Sequence, residues 1–354
     1  MNDLVKIHLR GTYQAYINLL YGGGAAAGAA FGGYLCERIG WRATFAGQIP
    51  LILVVYVLAR FTVPHNLGPN LAKDKHWTQL VRDFDIAGSF FMFVSVASLI
   101  LGLNFGGNIY SWGHPIVVSS LVMAVVTAVI LFRVEEKAEH PIMPLEMITM
   151  APRSNLVFAN FFAMLGSNHI LFNAPLYFQI VHGDSPAMAG LRISLPALFT
   201  TVCGVLTGFF LTWTGRLKLP QAIGAVCMVV GGVATSMLTE STPTWLATLS
   251  ITPPYAGQGF MFPATILSLL ATTSQQDQAV MVTTMILWRN LGIVLGVAIS
   301  SLVLQNGLIV YLNMFVTGSD KQEVIEKVRM SVRAVLELEG EQKLQGKTLS
   351  HVCC

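Results

Sequence analysis

The chain has 354 residues, of which 54% are hydrophobic and only 11% are charged, and its formal net charge at pH 7 is +3. This apolar fraction is larger than a soluble core encloses, so the chain needs lipid as its solvent. The small net charge provides no concentrated basic face, which argues against a nucleic-acid partner. The five cysteines lack the spacing of a disulfide framework or a zinc site, and we expect neither a metal nor a cofactor.

Apolar runs long enough to cross a bilayer occur along most of the sequence. About 20 apolar helical residues span the hydrocarbon core. Runs of this length, bounded by charges, proline or glycine, occupy residues 13–35, 43–63, 84–104, 114–133, 155–181, 187–213, 219–238, 244–270 and 279–305. The sequence therefore predicts an all-α integral membrane protein with about nine transmembrane helices.

The basic residues of the connections predict the orientation. Lysine and arginine accumulate on the cytosolic side of membrane proteins, and here they favour alternate connections, which predicts a cytosolic N-terminus. The predicted cytosolic side has Lys6, Arg10, Arg60, Lys73, Lys75, Arg82, Arg133, Lys137, Arg153, Arg216 and Lys218, and the other side has Arg38, Arg42 and Arg192. Nine spans would then place a basic, polar tail outside the cytosol, which suggests that a final span is missing.

Two sequence patterns lie close together in the first two spans. Residues 24–33 read GAAAGAAFGG, with glycines at Gly24, Gly28, Gly32 and Gly33. They resemble the signature G-x-x-x-G-P-x-x-G-G of the fifth span of drug/proton antiporters, with Ala29 at the proline position. Residues 40–50, GWRATFAGQIP, resemble the G-W-R-W-x-F-x-x-Q-x-P segment of fourteen-span antiporters.

Three further patterns follow in the same order as in those antiporters. Residues 83–88, DFDIAG, resemble the D-x-x-G start of two extra central helices. Residues 208–216, GFFLTWTGR, resemble a cytoplasmic G-x-x-x-D-x-x-G-R turn, with Thr212 in place of the acidic residue, and residues 257–263, GQGFMFP, followed by 275–279, QQDQA, fit as well. Together they resemble the major facilitator superfamily, in its branch of fungal multidrug and vacuolar basic amino-acid permeases.

This resemblance implies a fold and a function. The nine spans would correspond to spans five to thirteen of fourteen, in a major facilitator-type helical bundle. Residues 1–63 would end the N-terminal bundle, 64–153 would form a linker and two central spans, 154–312 the C-terminal bundle, and 313–354 a polar tail. The implied activity is proton-coupled antiport, by alternating access, that exports small organic or basic compounds or sequesters them in a vacuole.

The same resemblance implies the partners and the location. We expect protons, a small-molecule substrate and the lipid bilayer as partners of a monomeric protein in the plasma or vacuolar membrane. Because the first four spans and the last one are expected to be missing, a truncated fragment without transport activity, or a membrane-embedded partner, remains an alternative.

Polar residues within the predicted spans are candidates for the substrate and proton pathway, because polar groups are costly in the membrane and usually face a cavity or a partner. The candidates are Asn168, His169, Asn173, Gln179, Gln258, Arg289 and Asn290. Hydrogen bonding between helices is the alternative for the fifth-span residues, and a structural ion pair or snorkelling to the interface is the alternative for Arg289.

Gly24, Gly28 and Gly32 repeat every four residues and therefore share one helix face. Such a face permits close approach of another helix, either as plain packing or, as the resemblance implies, as an antiporter seal between the two bundles. No pattern of a soluble enzyme occurs, such as H-E-x-x-H, G-x-S-x-G or a complete P-loop, so the sequence predicts a protein that is not an enzyme.

Overall fold

The computed structural model describes residues 9–62, 85–106, 110–138, 141–239, 241–274 and 277–315. The helices are α1 (Arg10–Ala46), α2 (Gln48–Thr62), α3 (Ile86–Phe105), α4 (Pro115–Glu135), α5 (Leu145–Thr149), α6 (Arg153–Ile180), α7 (Pro186–Thr214), α8 (Lys218–Ser236), α9 (Thr244–Thr272) and α10 (Gln278–Phe315). The described residues contain no strand beyond an isolated bridge between Gly106 and Tyr110, which confirms the all-α fold. The predicted tail lies almost entirely outside them.

Seven described segments are long and apolar enough to cross a membrane. They are Arg42–Thr62, Ile86–Phe105, Pro115–Glu135, Arg153–Ile180, Met188–Thr214, Lys218–Ser236 and Gln278–Gly307. The predicted spans 13–35 and 244–270 also form long helices, within α1 and as α9, but these two are not among the seven. Residues 13–35 are rich in glycine and residues 244–270 in proline and threonine, and such residues lower mean hydropathy.

The first two predicted spans are separated by a single strained position. Gly40 has φ +80° and ψ 158°, a conformation that residues with a side chain rarely adopt, and it interrupts the helical dihedrals of α1. The hydroxyl of Thr44 donates a hydrogen bond to the carbonyl of Gly40 at 2.9 Å. The second span therefore begins close to Arg42, and the connection is shorter than the sequence predicts.

The helix α9 lies at the centre of the C-terminal half, where it packs against α7, α8 and α6. Glycines permit the contacts, because a methyl group at Gly257 would lie 2.7 Å from the carbonyl oxygen of Gly224 on α8, and one at Gly259 would lie 2.8 Å from the Cβ of Cys203 on α7. Fifteen residues of α9 are buried, including Thr248, Thr252 and Thr265. This helix can have a lower hydropathy because much of its surface contacts other helices and not lipid.

The helices α6 and α10 pack through two glycines one turn apart. A methyl group at Gly292 would lie 2.5 Å from the carbonyl oxygen of Phe161, and one at Gly296 would overlap the carbonyl oxygen of Leu165. Because these neighbours are main-chain atoms that cannot rotate away, glycine is required at both positions for this approach. The contact holds α10, which carries Arg289, against α6.

The helix α1 packs along α7 through small residues near its beginning. A methyl group at Gly11 would lie 2.6 Å from the carbonyl oxygen of Gly208, and the hydroxyls of Thr12 and Thr212 are 3.2 Å apart. A methyl group at Gly24 or Gly28 would meet no described atom within 4 Å. The surroundings of Gly32 and Gly33 lie outside the described residues, so the role of the glycine row stays a prediction.

A charged cluster closes the turn between α6 and α7. The guanidinium Nε of Arg192 donates to Asp184 Oδ2 at 2.5 Å, and Arg192 also lies over the ring of Phe178, 5.6 Å from its centroid. The imidazole of His182 contacts the ring of Tyr177, and its Nε2 atom is buried with no hydrogen-bond partner in the described part of the chain. Burial lowers the pKa of His182 below its ordinary value of 6.5; Asp184 opposes this shift and Arg192 adds to it.

This cluster predicts a dependence of stability on pH. A histidine whose pKa is lowered in the folded state stabilises the protein fully above its ordinary pKa, and that contribution is lost as the pH falls below it. We therefore expect the unfolding temperature of the wild type to decrease, relative to that of His182→Gln, as the pH is lowered from about 7.5 to about 5.5. Thermal unfolding of both proteins in detergent measures this difference, and parallel pH profiles would contradict it.

Candidate functional site

A cavity of about 340 Å³ lies where α1 meets α7, α9 and α10; we call it the central cavity. Its volume suits a small organic molecule, since ligand sites usually measure about 300–1,000 Å³. Its lining is mostly apolar with a few polar side chains. The residues that line it are Gln14, Ile17, Asn18, Tyr21, Gly22, Thr200, Thr201, Gly204, Gln258, Gly259, Phe262, Pro263, Ile266, Ile286, Arg289 and Asn290.

Arg289 is the charged residue of the central cavity. Its guanidinium carbon lies 3.9 Å from the centroid of the Phe262 ring, an attractive cation–π contact. Its Nη1 atom is buried and has no hydrogen-bond partner within the described residues. A buried cationic donor without an acceptor is costly, and an anionic or carbonyl oxygen of a bound molecule would satisfy it.

The helix α1 contributes polar groups to this cavity that the sequence analysis did not select. The side-chain amide of Gln14 donates to Asn18 Oδ1 at 3.3 Å, and the Nδ2 atom of Asn18 is buried and has no partner among the described residues. Both side chains line the cavity, together with Tyr21. Two amides four residues apart in an apolar span are the same signal that selected Asn173, so this pair was detectable in the sequence.

His169 and Asn173 do not line the central cavity. They lie in a second cavity of about 430 Å³ between α6, α8 and α9, which we call the α6–α8 groove and which Ser167 and Thr235 also line. The Nδ2 atom of Asn173 donates to the hydroxyl of Ser300 on α10 at 2.5 Å. Asn173 therefore bonds two helices, which corresponds to the alternative given for the fifth-span residues.

Asn168 and Gln179 line neither cavity. The side-chain amide of Asn168 donates to the carbonyl of Met164, one turn earlier in the same helix, at 2.9 Å. Gln179 is half-buried near the end of α6. The structure thus brings Gln258, Arg289 and Asn290 together in the central cavity and places the four fifth-span candidates elsewhere, and a pathway role for any of the seven stays a prediction.

The central cavity lies at the contact between the first part of the chain and the C-terminal helices. It offers a buried cationic donor, four side-chain amides and two aromatic rings, but the described part of its lining has no carboxylate. Such a set can bind and orient a small polar molecule, and it lacks a paired carboxylate or a nucleophile with a base, as chemistry on a substrate would require.

Comparisons with known proteins identify the family. Residues 1–110 match the Major Facilitator Superfamily. The chain is 32% identical over 339 residues to the vacuolar basic amino acid transporter 2 of Saccharomyces cerevisiae, and the match covers 94% of this chain and 72% of that protein. The chain belongs to the major facilitator superfamily.

Two other relatives of this superfamily come from Schizosaccharomyces pombe. The chain is 27% identical to the multidrug resistance protein fnx1, over 94% of this chain and 63% of that protein. It is 26% identical to the vacuolar membrane amino acid uptake transporter fnx2, over 96% of this chain and 58% of that protein. The chain thus spans about three fifths of the length of these two relatives.

Membership of the superfamily confirms several expectations. The chain is an integral membrane protein of a transporter family, and the family is not one of enzymes. The resemblance seen in the sequence, to vacuolar amino-acid permeases and multidrug transporters, is confirmed by the relatives. In this major facilitator protein the division into bundles, linker and tail stays a prediction.

Proposed function

We propose that the protein moves a small organic compound across a membrane in exchange for protons, and that the compound binds in the central cavity. The observation that carries this proposal is the buried Nη1 of Arg289, which has no partner among the described residues and lies in a cavity between α1 and the C-terminal helices. Alternating access requires a binding site between two groups of helices that move relative to each other. Two observations support this position for the central cavity: it is lined by α1 together with α7, α9 and α10, whereas the α6–α8 groove is lined by α6, α8 and α9 and by no described residue of α1.

The lining favours a substrate that carries both a carboxylate and a basic group. The guanidinium of Arg289 would bind the carboxylate, and the carbonyl oxygens of Gln14, Asn18 and Gln258 would accept hydrogen bonds from the basic end. Basic amino acids have this chemistry, and the name of the Saccharomyces cerevisiae relative agrees with it. The membrane would be that of a vacuole or the cell surface, with the N-terminus in the cytosol and the protein acting as a monomer.

The test is uptake into vesicles that contain the purified protein. Labelled arginine is offered with and without a pH gradient, and agmatine, which is arginine without its carboxylate, is the matched control compound. We expect a pH gradient to drive arginine uptake, a protonophore to abolish it, and agmatine to be transported at least about tenfold more slowly, because one charge-assisted contact contributes about 1.5–3 kcal/mol.

Two results would contradict parts of this proposal separately. Equal uptake of arginine and agmatine would reject carboxylate binding but leave proton-coupled transport in place. No flux of either compound under any pH gradient, from vesicles in which the protein is folded, would reject transport by this chain and favour the alternative of a membrane-embedded partner.

A further inference from the structure

Two acidic side chains meet where α3 begins and α4 ends. Asp85 precedes α3, and its Oδ1 accepts a hydrogen bond from the backbone amide of Gly88 at 2.7 Å. Glu135 is the last residue of α4 and only 3% exposed, and its Oε2 accepts from the backbone amide of Met143 at 3.1 Å. One oxygen of each carboxyl group thus accepts a hydrogen bond from a backbone amide. The two side chains link the beginning of α3, the end of α4 and the segment at Met143.

The remaining oxygen of each carboxyl group borders one small space at Gly88. A methyl group on Gly88 would overlap Asp85 Oδ2 and would lie 2.9 Å from Glu135 Oε1. Both of these oxygens are buried and have no hydrogen-bond partner within the described residues. The absence of a side chain at Gly88 therefore allows two unpartnered carboxyl oxygens to approach each other away from solvent.

The described residues provide no ion pair that neutralises Asp85 or Glu135. Arg133 and Lys137 line the shallow depression that Asp85 borders, but among the described residues no basic side chain forms an ion pair with either carboxyl group. Arg133 instead lies 4.0 Å from Glu136. Of the elements nearby, α5 carries Glu146, and the single charged residue of α10, Arg289, lines the central cavity.

Two ionised carboxylates whose free oxygens border the same buried space would repel each other, and neither oxygen has a donor within the described residues. One proton removes the repulsion, because the protonated oxygen donates to the oxygen opposite. We propose that Asp85 and Glu135 form a proton-binding carboxyl pair that holds one proton between Oδ2 and Oε1. This site is distinct from the central cavity, and proton binding here does not depend on the transport function proposed above.

The sign of the pH effect follows from the number of bound protons. Around neutral pH the folded state holds one proton at the pair, whereas both carboxyl groups of an unfolded chain are ionised. Stability therefore falls as the pH rises. In Glu135→Gln the side-chain amide replaces the shared proton at every pH. Above about pH 5, and until the pair itself ionises, the unfolding equilibrium constant of the wild type should therefore rise about tenfold per pH unit relative to that of this variant.

The test uses the full chain in detergent and combines infrared spectroscopy with thermal unfolding. At neutral pH the wild type should show the C=O stretch of a protonated carboxyl group, and Glu135→Gln and Asp85→Asn should both lose it. Asn is as good an N-cap as Asp, so Asp85→Asn keeps the hydrogen bond to Gly88. The matched control is Glu136→Gln, an adjacent carboxylate with 63% of its side chain exposed, which should keep the band.

Retention of the band in both pair variants would overturn the proposal, as would its absence from the wild type. Identical pH profiles of stability for the wild type and Glu135→Gln would overturn it too. Loss of the band in both pair variants but not in Glu136→Gln, together with the steeper profile of the wild type, supports it. Because neither measurement involves substrate, failure of the transport assay leaves this result unaffected.

Discussion

Replacing Arg289 with alanine will lower arginine uptake by about 10- to 100-fold, because the carboxylate of the substrate loses a charge-assisted contact of about 1.5–3 kcal/mol. Arg289→Lys keeps the charge but not the planar fork, so its uptake should be intermediate. Initial rates in vesicles, measured over a range of substrate concentrations, distinguish weaker binding from slower transport.

The control for this prediction is Arg133→Ala. Arg133 lies at the end of α4, its side chain is 78% exposed, and its 4.0 Å contact with Glu136 is of the surface kind, which contributes little. Its removal should leave uptake within about twofold, since surface substitutions usually change free energies by less than about 0.5 kcal/mol. Wild-type uptake by a correctly folded Arg289→Ala protein would show that the substrate does not contact this guanidinium.

Replacing Gly296 with alanine will destabilise the protein, because the new methyl group overlaps the carbonyl oxygen of Leu165 and forces α6 and α10 apart. Overpacking of this kind costs typically about 1–3 kcal/mol, and here the neighbour is backbone. We expect a clearly lower unfolding midpoint in detergent. A loss of arginine uptake should accompany it, because α10 carries Arg289.

Gly232→Ala is the matched control on α8. A methyl group at Gly232 meets no described atom within 4 Å, so this change should be neutral or should stabilise the helix by up to about 1 kcal/mol through the higher helix propensity of alanine. Equal midpoints for the Gly296→Ala and Gly232→Ala proteins would mean that α6 and α10 do not approach as closely as the structure places them.

The spans illustrate what hydropathy can and cannot predict. The runs at 114–133 and 219–238 became α4 and α8 with small changes at their ends, because a segment in lipid must satisfy its own backbone hydrogen bonds and so forms a helix. The second span begins at Arg42, one residue from its predicted start, but the connection before it is shorter than predicted because Gly40, at φ +80°, is the one residue of α1 with non-helical angles. A single backbone angle of this kind has no signature in apolar content.

The candidate site shows the same division. A rule based on polar residues within spans selected Arg289, Gln258 and Asn290, which share the central cavity, but it also selected Asn168, whose amide bonds to its own helix. It missed Gln14 and Asn18, although they are just as polar. A polar residue within a span needs a partner, but its position in the sequence does not say which one. A hydrogen bond within its own helix satisfies the side chain as well as a place in the lining of a cavity does.

The sequence by itself determined that this chain is embedded in a bilayer and is helical throughout its spans, because both properties follow from local composition. It also determined that the chain belongs with major facilitator transporters, because the motifs occur in a fixed order. The tertiary structure decided which polar groups meet. Arg289 lies over Phe262, and Asp85 approaches Glu135 across Gly88, through contacts between residues far apart in the chain. Such contacts depend on how closely helices pack, and the packing is set by glycines whose neighbours are known only once the helices are assembled.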